Sequence, residues 1–298
     1  MSKKKKPAWQ KAKKLDDARI IHAGEEGIPY LYRYLPFPLE KPKPDRDNGP
    51  EKLKDILVNR RIRCSNPKYF NDPWDCKPCV HPDLLDDSEM RRIMAMSLID
   101  TQKGGPKGDI TDLRLLHDPA FLRRIAPAFN DFMARFITER WGIVCLSAAA
   151  CSTLMWSHYS DNHKGICLEF RVKGTFFGAA VKIIYRAEYP KMIVGGNFGQ
   201  MMLTVKAKDW EKEEEYRLAC PLSEEVTESK ESPLLMKDGF LEIGDLLHAV
   251  IMGCEVGEEE ERIIKELLEE HGQHVRLKRA VRVPHKYTLT LEDVYTPG

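Results

Sequence analysis

Long apolar runs are missing from the sequence. No segment reaches the roughly 20 consecutive apolar residues that a membrane-spanning helix needs. The lysine-rich N-terminus is not followed by the apolar core of a secretory signal peptide. The sequence therefore predicts a protein of the cytoplasm that makes no contact with a membrane.

Net charge is also nearly absent, but the two signs are unevenly placed. The 298 residues hold 47 Lys and Arg against 46 Asp and Glu, a formal net charge of +1. Residues 1–14 contain seven lysines and no acid, so the rest of the chain is mildly acidic. Nucleic-acid grooves are built from clustered Lys and Arg, which the body of the chain lacks. Residues 1–19 are expected to be a flexible basic tail, either a solubilising arm or a weak contact for nucleic acid or an acidic partner.

A complete set of metal ligands is lacking as well. Cys76 and Cys79 form a C-x-x-C pair, but no second pair with zinc-site spacing lies downstream. A thioredoxin-like redox pair would open a helix, whereas the residues after Cys79 stop one. Plain loop cysteines are therefore favoured over redox or zinc chemistry, and no metal is expected. Several other cysteines lie in apolar runs and are expected to be small buried residues of a reducing compartment.

Apolar periodicity predicts strands near both ends of the chain and helices between them. Strands are expected at Ile28–Tyr34 and Arg61–Ser65, in a series of short apolar runs after Gly142, and in a final pair at Val275–Val283 and Tyr287–Leu291. Helical spacing is found at Glu51–Asn59, within residues 83–140 and at Glu258–His271.

This order favours an α+β fold, with a mixed or antiparallel sheet core and a helical insertion between the second and third strands. Residues 20–298 are expected to form one domain, with the insertion at about 83–140. Two apolar stripes in the insertion are expected to be core rather than a cofactor site: Met90, Ile93, Met94 and Leu98, and Phe129, Phe132, Met133 and Phe136.

The first polar segment within apolar surroundings is Tyr32-Arg33-Tyr34. Period-two geometry places both tyrosines on one face of a strand and Arg33 on the other. Arg33 is either an exposed edge charge or a clamp for an anion, because a guanidinium matches phosphate and carboxylate in a bidentate way.

The second segment runs from Cys64-Ser65-Asn66-Pro67 to Asn71-Asp72-Pro73. Asn and Asp before Pro are common turn formers, so a simple loop explains much of it. Ser65, at the end of a strand, is a candidate to orient a carboxylate or a ribose hydroxyl. Asn71 and Asp72 are candidate substrate-binding residues.

The third segment, Met155–Gly165, contains two histidines, two aromatic residues and an aspartate within a few positions. His158 is a candidate general base, because its ordinary pKa lies near neutrality. Trp156 and Tyr159 are candidates for stacking on a substrate. The G-x-S-x-G elbow of esterases is absent from the sequence, and His158 and His163 have an awkward spacing for two metal ligands on one helix.

The fourth segment, Trp210–Leu218, is a run of charge that passes directly into an apolar strand. A solvated helix end is the usual explanation of such a run. If the strand starts at Glu213, then Glu213, Glu215 and Arg217 share one face. Two neighbouring carboxylates repel, which favours a perturbed pKa or a cationic partner. Such a pair can stabilise an oxocarbenium-like centre and activate its acceptor.

Taken in this order, the four segments resemble the bacterial family catalogued as domain of unknown function 2971. The matching stretches are LYRY at Leu31–Tyr34, CSNPKYFNDPWDC at Cys64–Cys76, MWSHYSDNHKGICLEF at Met155–Phe170 and W-x-x-E-x-E-Y-R at Trp210–Arg217. The resemblance implies a family whose activity is not established.

A second resemblance is to the ADP-ribosyltransferase superfamily, in which an Arg or His, a Ser or Tyr and an E-x-E follow one another on successive strands. Arg33, Ser65 and Glu213-x-Glu215 stand in that order. This likeness implies that Arg33 holds the pyrophosphate of NAD and that Ser65 supports the ribose or the catalytic acid. Glu215 would then stabilise the oxocarbenium ion, and Glu213 would position or activate the acceptor. The long helical insertion and the Asn-Pro after Ser65 depart from that pattern.

Two functions are therefore carried forward. The first is an enzyme resembling ADP-ribosyltransferases or NAD glycohydrolases, with NAD as substrate, in a toxin or phage-defence setting. Its candidate catalytic residues are Glu215, Glu213 and His158, and its candidate substrate-binding residues are Arg33, Tyr32, Ser65, Asn71, Asp72, Trp156, Tyr159 and Arg217. The second is a non-catalytic module of a defence or mobile-element system that binds a nucleotide or a protein.

Overall fold

A computed structural model describes residues 20–41, 47–77, 79, 85–86, 88, 91, 118–190, 202–222 and 236–296. The lysine-rich tail and the stripe at Met90, Ile93, Met94 and Leu98 lie outside the described residues. The chain divides into two compact units, and the expectation of one domain over residues 20–298 stays a prediction. Unit 1 takes in the described residues of Met1–Ile20, Asn66–Trp141 and Ile183–Trp210, and unit 2 those of Ile21–Ser65, Gly142–Lys182 and Glu211–Gly298.

Helices and strands agree in kind with the periodicity of the sequence. The α-helices are α1 (Gly49–Asn59), α2 (Pro119–Arg140), α3 (Thr153–Tyr159) and α4 (Glu258–His271). The strands are β1 (Tyr30–Leu35), β2 (Arg61–Arg63), β3 (Trp141–Ser147), β4 (Ile166–Arg171), β5 (Val181–Lys182), β6 (Ile184–Arg186), β7 (Val205–Ala207), β8 (Glu215–Pro221), β9 (Met236–Lys237), β10 (Phe240–Glu242), β11 (Leu247–Met252), β12 (Arg276–Arg282) and β13 (Leu289–Tyr295). Short 3₁₀ helices lie at Pro67–Tyr69, Phe176–Ala179 and Lys208–Glu213. No helix in the described part of the chain is both long and apolar enough to span a membrane.

The core of unit 2 is an eight-stranded sheet with the order β13-β12-β11-β4-β1-β3-β8-β5. Strand β1 pairs antiparallel with both β3 and β4, whereas β11 and β12 are parallel. A three-stranded sheet, β2-β10-β9, also belongs to unit 2. The α+β fold with a mixed sheet is confirmed, and α2 lies between the second and third strands, as the sequence predicts.

Helices cover both faces of the large sheet in unit 2. Leu53 of α1 and Ile264 of α4 join one apolar core, into which Leu31 and Leu168 of the sheet project. Met155 and Trp156 of α3 join a second core with Tyr34, Cys167 and Ile251. We call these two sides the α1/α4 face and the α3 face. Because successive strand residues alternate, each strand supplies side chains to both faces.

Local sequence explains where helix α1 begins and ends. The Asn48 side chain accepts a hydrogen bond from the Glu51 amide, and the Glu51 carboxylate accepts one from the Asn48 amide. This capping box satisfies two amide groups that the helix leaves without intrahelical partners. The helix stops at Arg60, whose left-handed backbone (φ 49°) redirects the chain into β2.

Unit 1 contains helix α2 and the short parallel pair β6–β7. The Asp118 side chain caps α2 by accepting a hydrogen bond from the Ala120 amide. The buried residues of α2 follow helical spacing: Leu122, Ala126, Phe129 and Ile137. Of the predicted apolar stripe, Phe129 is therefore buried, while Phe132, Met133 and Phe136 are partly buried.

Candidate functional site

Tyr32 lies at the centre of a row of polar residues on the α3 face. Strand register places Tyr32 opposite Ser147 of β3 and opposite Glu169 of β4. Residues that are directly opposite each other in a sheet point to the same face, so all three side chains lie on the α3 face. Ser147 and Glu169 are buried and Tyr32 is partly buried.

Tyr159 of α3 contacts Glu213, which ends the 3₁₀ helix before β8. The Tyr159 hydroxyl donates a hydrogen bond of 2.5 Å to Oε1 of Glu213, whose side chain is buried. The Ser147 hydroxyl fixes the backbone at this point by donating a 2.6 Å hydrogen bond to the Glu213 carbonyl oxygen. The third and fourth polar segments of the sequence therefore meet at one place.

Strand β8 begins at Glu215, so the condition under which Glu213 would share its face, a strand that starts at Glu213, is not met. Glu214 has a left-handed backbone (φ 46°), which interrupts the extended chain between the two flanking glutamates. Glu213 therefore lies outside the alternation of β8, and only Glu215 and Arg217 share a strand face.

Glu215 and Arg217 form a buried ion pair on β8. Oε1 of Glu215 accepts a hydrogen bond of 2.6 Å from Nε of Arg217, and Oε2 accepts one of 2.9 Å from Nη2. Both side chains are almost completely shielded from solvent. Of the two alternatives for neighbouring carboxylates, a perturbed pKa or a cationic partner, the structure shows a cationic partner for Glu215, which is Arg217 on the same strand. Its bidentate contact neutralises the charge of Glu215.

A second buried carboxylate, Glu169, was missed in the sequence. Its oxygens accept hydrogen bonds of 2.9 and 3.0 Å from Nζ of Lys278, and Nε2 of His248 lies 3.7 Å away. Burial raises the pKa of Tyr32 far above its usual value, and the neighbouring Glu169 raises it further. The sequence does contain a sign of this buried pair: a single Glu lies within the apolar strand GICLEF. An acid that is buried in such a strand needs a partner for its charge.

Arg33 projects to the opposite side of the sheet, among the apolar residues of the α1/α4 face. It lies between Leu31 and Leu35 on the strand, and its cross-strand neighbour is Leu168. Its Nη1 atom is buried and has no hydrogen-bond partner within the described residues. Burial lowers the pKa of its guanidinium. Arg33 and Glu215 are therefore not brought together, although the tyrosines flank Arg33 as the sequence predicts.

The thiols of Cys64 and Cys220 lie near the Arg33 guanidinium on the α1/α4 face. A hydrogen bond with Cys220 lowers the pKa of Cys64, with a smaller contribution in the same direction from Arg33. Ser65, the next residue, is held through its backbone: its amide and carbonyl exchange hydrogen bonds of 2.8 Å with Ile143.

Trp156 and His158 of the third segment occupy different environments. Trp156 is completely buried, and its indole N–H donates a 2.9 Å hydrogen bond to the Ala150 carbonyl. Its ring meets Tyr34 edge to face at 5.1 Å, so it packs in the second core and presents no surface for stacking on a ligand. His158 is exposed, and its ring contacts that of Tyr159.

The turn after α3 accounts for the rest of the third segment. Asp161, Asn162 and His163 all have left-handed backbones, with φ of 47°, 51° and 69°. A β-carbon on Gly165 would lie 2.3 Å from the Leu35 carbonyl oxygen, and one on Gly253 would lie 2.0 Å from the His163 carbonyl oxygen. The pattern DNHKG therefore forms a tight turn. The turn packs closely against the neighbouring backbone because Gly165 and Gly253 have no β-carbon.

Asn71 and Asp72 lie in unit 1, where they shape the loop before Cys76. Oδ1 of Asn71 accepts a hydrogen bond from the Asp72 amide, and Oδ1 of Asp72 accepts one of 2.8 Å from the Trp74 amide. Cys76 is buried with its thiol 3.4 Å from Oδ1 of Asp75, and Cys79 is exposed. Across the described residues, no group of three or more His, Cys, Asp or Glu side chains is placed to hold a metal ion.

Comparison with known proteins assigns one segment of the chain. Residues 155–191 match the family described as "Protein of unknown function (DUF2971)". The matched segment holds most of α3, the left-handed turn and β4, and thus both Tyr159 and Glu169. Searches of curated proteins and of solved structures return no match.

Proposed function

We propose that this protein is an enzyme that cleaves an N-glycosidic bond, with NAD as substrate and Glu213 as the catalytic carboxylate. The observation that carries the proposal is the 2.5 Å hydrogen bond between the Tyr159 hydroxyl and Glu213. It places an oriented, buried acid next to the polar row of the α3 face. Such an arrangement suits a group that must face a developing positive charge in a site with little water.

The roles differ from those implied by the ADP-ribosyltransferase resemblance. Glu215 is neutralised by Arg217 and acts as a positioning residue that anchors the start of β8. Glu213 takes the catalytic role, and Tyr159 orients its carboxylate. Tyr32, partly buried beside Ser147, offers an aromatic ring to a nucleobase. Arg33, on the α1/α4 face, is not assigned to the site.

The chemistry requires one bond to break and one to form at the ribose. The bond between C1′ and the nicotinamide nitrogen breaks, and nicotinamide leaves with the bonding electron pair. The Glu213 carboxylate stabilises the resulting oxocarbenium ion and accepts a proton from the attacking water or acceptor hydroxyl. With water as acceptor, NAD and water give nicotinamide, ADP-ribose and a proton.

Release of nicotinamide from NAD by the full chain tests this proposal. Replacing Glu213 by Gln keeps the shape but removes the charge, so release should fall by about 10²–10⁴-fold. Glu211→Gln, an exposed change in the same acidic run, should leave release unchanged. Equal release by Glu213→Gln and unsubstituted protein would remove Glu213 from the mechanism.

A second candidate function is a non-catalytic module that binds a nucleotide or a protein. The ion pair between Glu215 and Arg217 favours this second function. The two charges neutralise each other, so stabilising the strand is enough to explain why both residues are buried there, without a role in catalysis. Calorimetry with NAD and ADP-ribose separates the two functions: binding without nicotinamide release supports the module. For either function we propose a bacterial toxin or phage-defence setting in the cytoplasm, where NAD, other nucleotides and protein ligands are all present.

A further inference from the structure

Unit 1 contains a cavity of about 230 Å³ that none of the proposed chemistry uses. Three stretches line it: Trp74–Lys77, Arg186–Pro190, and Val205–Ala207 with the nearby Met202. All of these residues belong to unit 1. This volume is slightly below the roughly 300–1,000 Å³ of typical ligand pockets, so the cavity suits a small ligand.

The rim of the cavity carries two aromatic rings in a fixed frame. Trp74 is 63% exposed, which is unusual for the largest apolar side chain. The Tyr189 hydroxyl shares its one proton between the carbonyl oxygens of Trp74 and Lys77. The Asp72 carboxylate accepts a hydrogen bond from the Trp74 amide as well. The backbone of Trp74 is thus held from two sides while its ring remains open to solvent.

Charged groups of both signs converge on the interior. Nζ of Lys206 lies 3.8 Å from Oδ2 of Asp75, and both side chains are almost fully buried. That separation is longer than a direct hydrogen bond, and the two opposite charges attract each other in a region shielded from water. Arg186 adds a guanidinium to the lining.

A buried acceptor lies close to the same wall. Oδ2 of Asp72 has no hydrogen-bond partner among the residues that the structure describes, although the residue is only 1% exposed. Asp72 is close enough to Tyr189 for its charge to raise the pKa of that hydroxyl, an effect smaller than that of burial itself. A buried carboxylate oxygen of this kind requires a donor, which a ligand can supply.

We propose that this cavity binds a mononucleotide with an amino-substituted base, of which adenosine monophosphate is the simplest probe. The base stacks against Trp74 and Tyr189, its exocyclic amino group donates to Asp75 or Asp72, and Arg186 and Lys206 bind the phosphate. A mononucleotide with an amino-substituted base offers a group to each kind of side chain at this site: a ring that stacks on the aromatic side chains, an amino donor for a carboxylate, and a phosphate for the cations. This proposal does not depend on the NAD-cleaving function proposed above.

Calorimetric titration of the full chain with adenosine monophosphate, adenosine and inorganic phosphate tests the proposal. The mononucleotide should bind at least about tenfold more tightly than either fragment. Trp74→Ala should weaken binding of the mononucleotide and of adenosine by about tenfold or more, because one base-stacking surface is lost. Arg186→Gln should weaken binding of the mononucleotide but not of adenosine.

Tyr69→Ala is the matched control, because Tyr69 is 75% exposed in the same unit and does not line the cavity. It should bind the mononucleotide as the unsubstituted chain does. Near-ultraviolet circular dichroism checks that each variant is folded. Failure of the unsubstituted chain to bind the mononucleotide at millimolar concentration would overturn the proposal. So would equal affinity for inorganic phosphate, or mononucleotide binding that neither Trp74→Ala nor Arg186→Gln changes.

Discussion

Tyr159 and Glu213 are 54 residues apart in the chain, yet their side chains are joined by a hydrogen bond of 2.5 Å. The contact brings the end of α3 to the turn that precedes β8. A short bond from a hydroxyl to a carboxylate is stronger than one between neutral groups. It therefore orients Glu213 through a residue that lies inside the segment shared with the DUF2971 family.

Removing this hydrogen bond tests whether Tyr159 positions Glu213, the carboxylate to which the proposed function gives the catalytic role. Tyr159→Phe should lower kcat for nicotinamide release by about 10–100-fold, since the Glu213 carboxylate loses its orientation, while KM for NAD stays nearly constant. The free energy of unfolding should fall by only about 1 kcal/mol. Tyr287→Phe, at a fully exposed tyrosine, should change neither kcat nor stability. A raised KM with unchanged kcat would instead make Tyr159 a substrate-binding residue.

The ion pair within β8 should be important for stability. Arg217→Met leaves the Glu215 carboxylate buried without its bidentate partner, and the free energy of unfolding should fall by about 3–5 kcal/mol. Adding Glu215→Gln should recover a large part of that loss, because the buried charge is then removed. Urea unfolding of the single and double variants measures both effects.

The exposed pair of Arg262 and Glu266 on α4 is the matched control for this experiment. Arg262→Met should cost no more than about 0.5 kcal/mol, because exposed pairs one helical turn apart contribute little. If Arg217→Met lowered the free energy of unfolding by no more than Arg262→Met does, the β8 pair would have no special role in stability.

The fold was largely predictable because its signals are local. Apolar spacing identified Glu258–His271 as a helix with its observed bounds, and it identified the strands on either side of it. The exact start of β8 could not be predicted, for an equally local reason. The sequence WEKEEEYR does not reveal that Glu214 adopts a left-handed backbone, and that single torsion separates Glu213 from the strand.

The candidate site was only partly predictable, because face and pairing depend on long-range register. Alternation correctly placed Tyr32 and Arg33 on opposite sides of β1. Alternation did not indicate that Glu213 and Glu215 would lie on the same side of the sheet as Tyr32 and opposite to Arg33. The side on which they lie depends on how β8 is placed in the sheet. Partners of Glu169 were equally hidden, because Lys278 is 109 residues away.

Stability should depend on pH through His248. Burial lowers the pKa of His248, Arg171, Lys278 and Arg276 act in the same direction, and Glu169 opposes them. The folded protein therefore binds this proton less readily than the unfolded chain, in which His titrates near about pH 6.5. Its contribution to stability is complete above that pH and is lost as the pH falls from there through the folded pKa.

His248→Gln should remove this part of the pH dependence, which unfolding measurements between about pH 5 and pH 8 can detect. His285→Asn is a suitable control, because His285 is exposed and Asn tolerates its left-handed backbone. The prediction is wrong if the slope of stability against pH is the same in His248→Gln as in the unsubstituted chain.

The glycine that faces the left-handed turn should not tolerate a methyl group. Gly253→Ala places a β-carbon 2.0 Å from the His163 carbonyl oxygen, so the backbone must move. We expect a loss of about 1–3 kcal/mol or more in the free energy of unfolding. Gly178→Ala meets its nearest atom at an ordinary 3.5 Å and should be close to neutral. Thermal unfolding of both variants provides the comparison.

The pairing of Glu169 with Lys278 has a consequence for how the chain folds during synthesis. The acid emerges from the ribosome 109 residues before its cation. At about 5–20 residues per second, that delay lasts roughly 5–20 s. Until β12 arrives, the centre of the sheet contains a carboxylate that favours contact with water over burial. Completion of the sheet should therefore be a late event driven by the C-terminal strands, and ribosome-bound chains that end before residue 278 should remain sensitive to protease within β4.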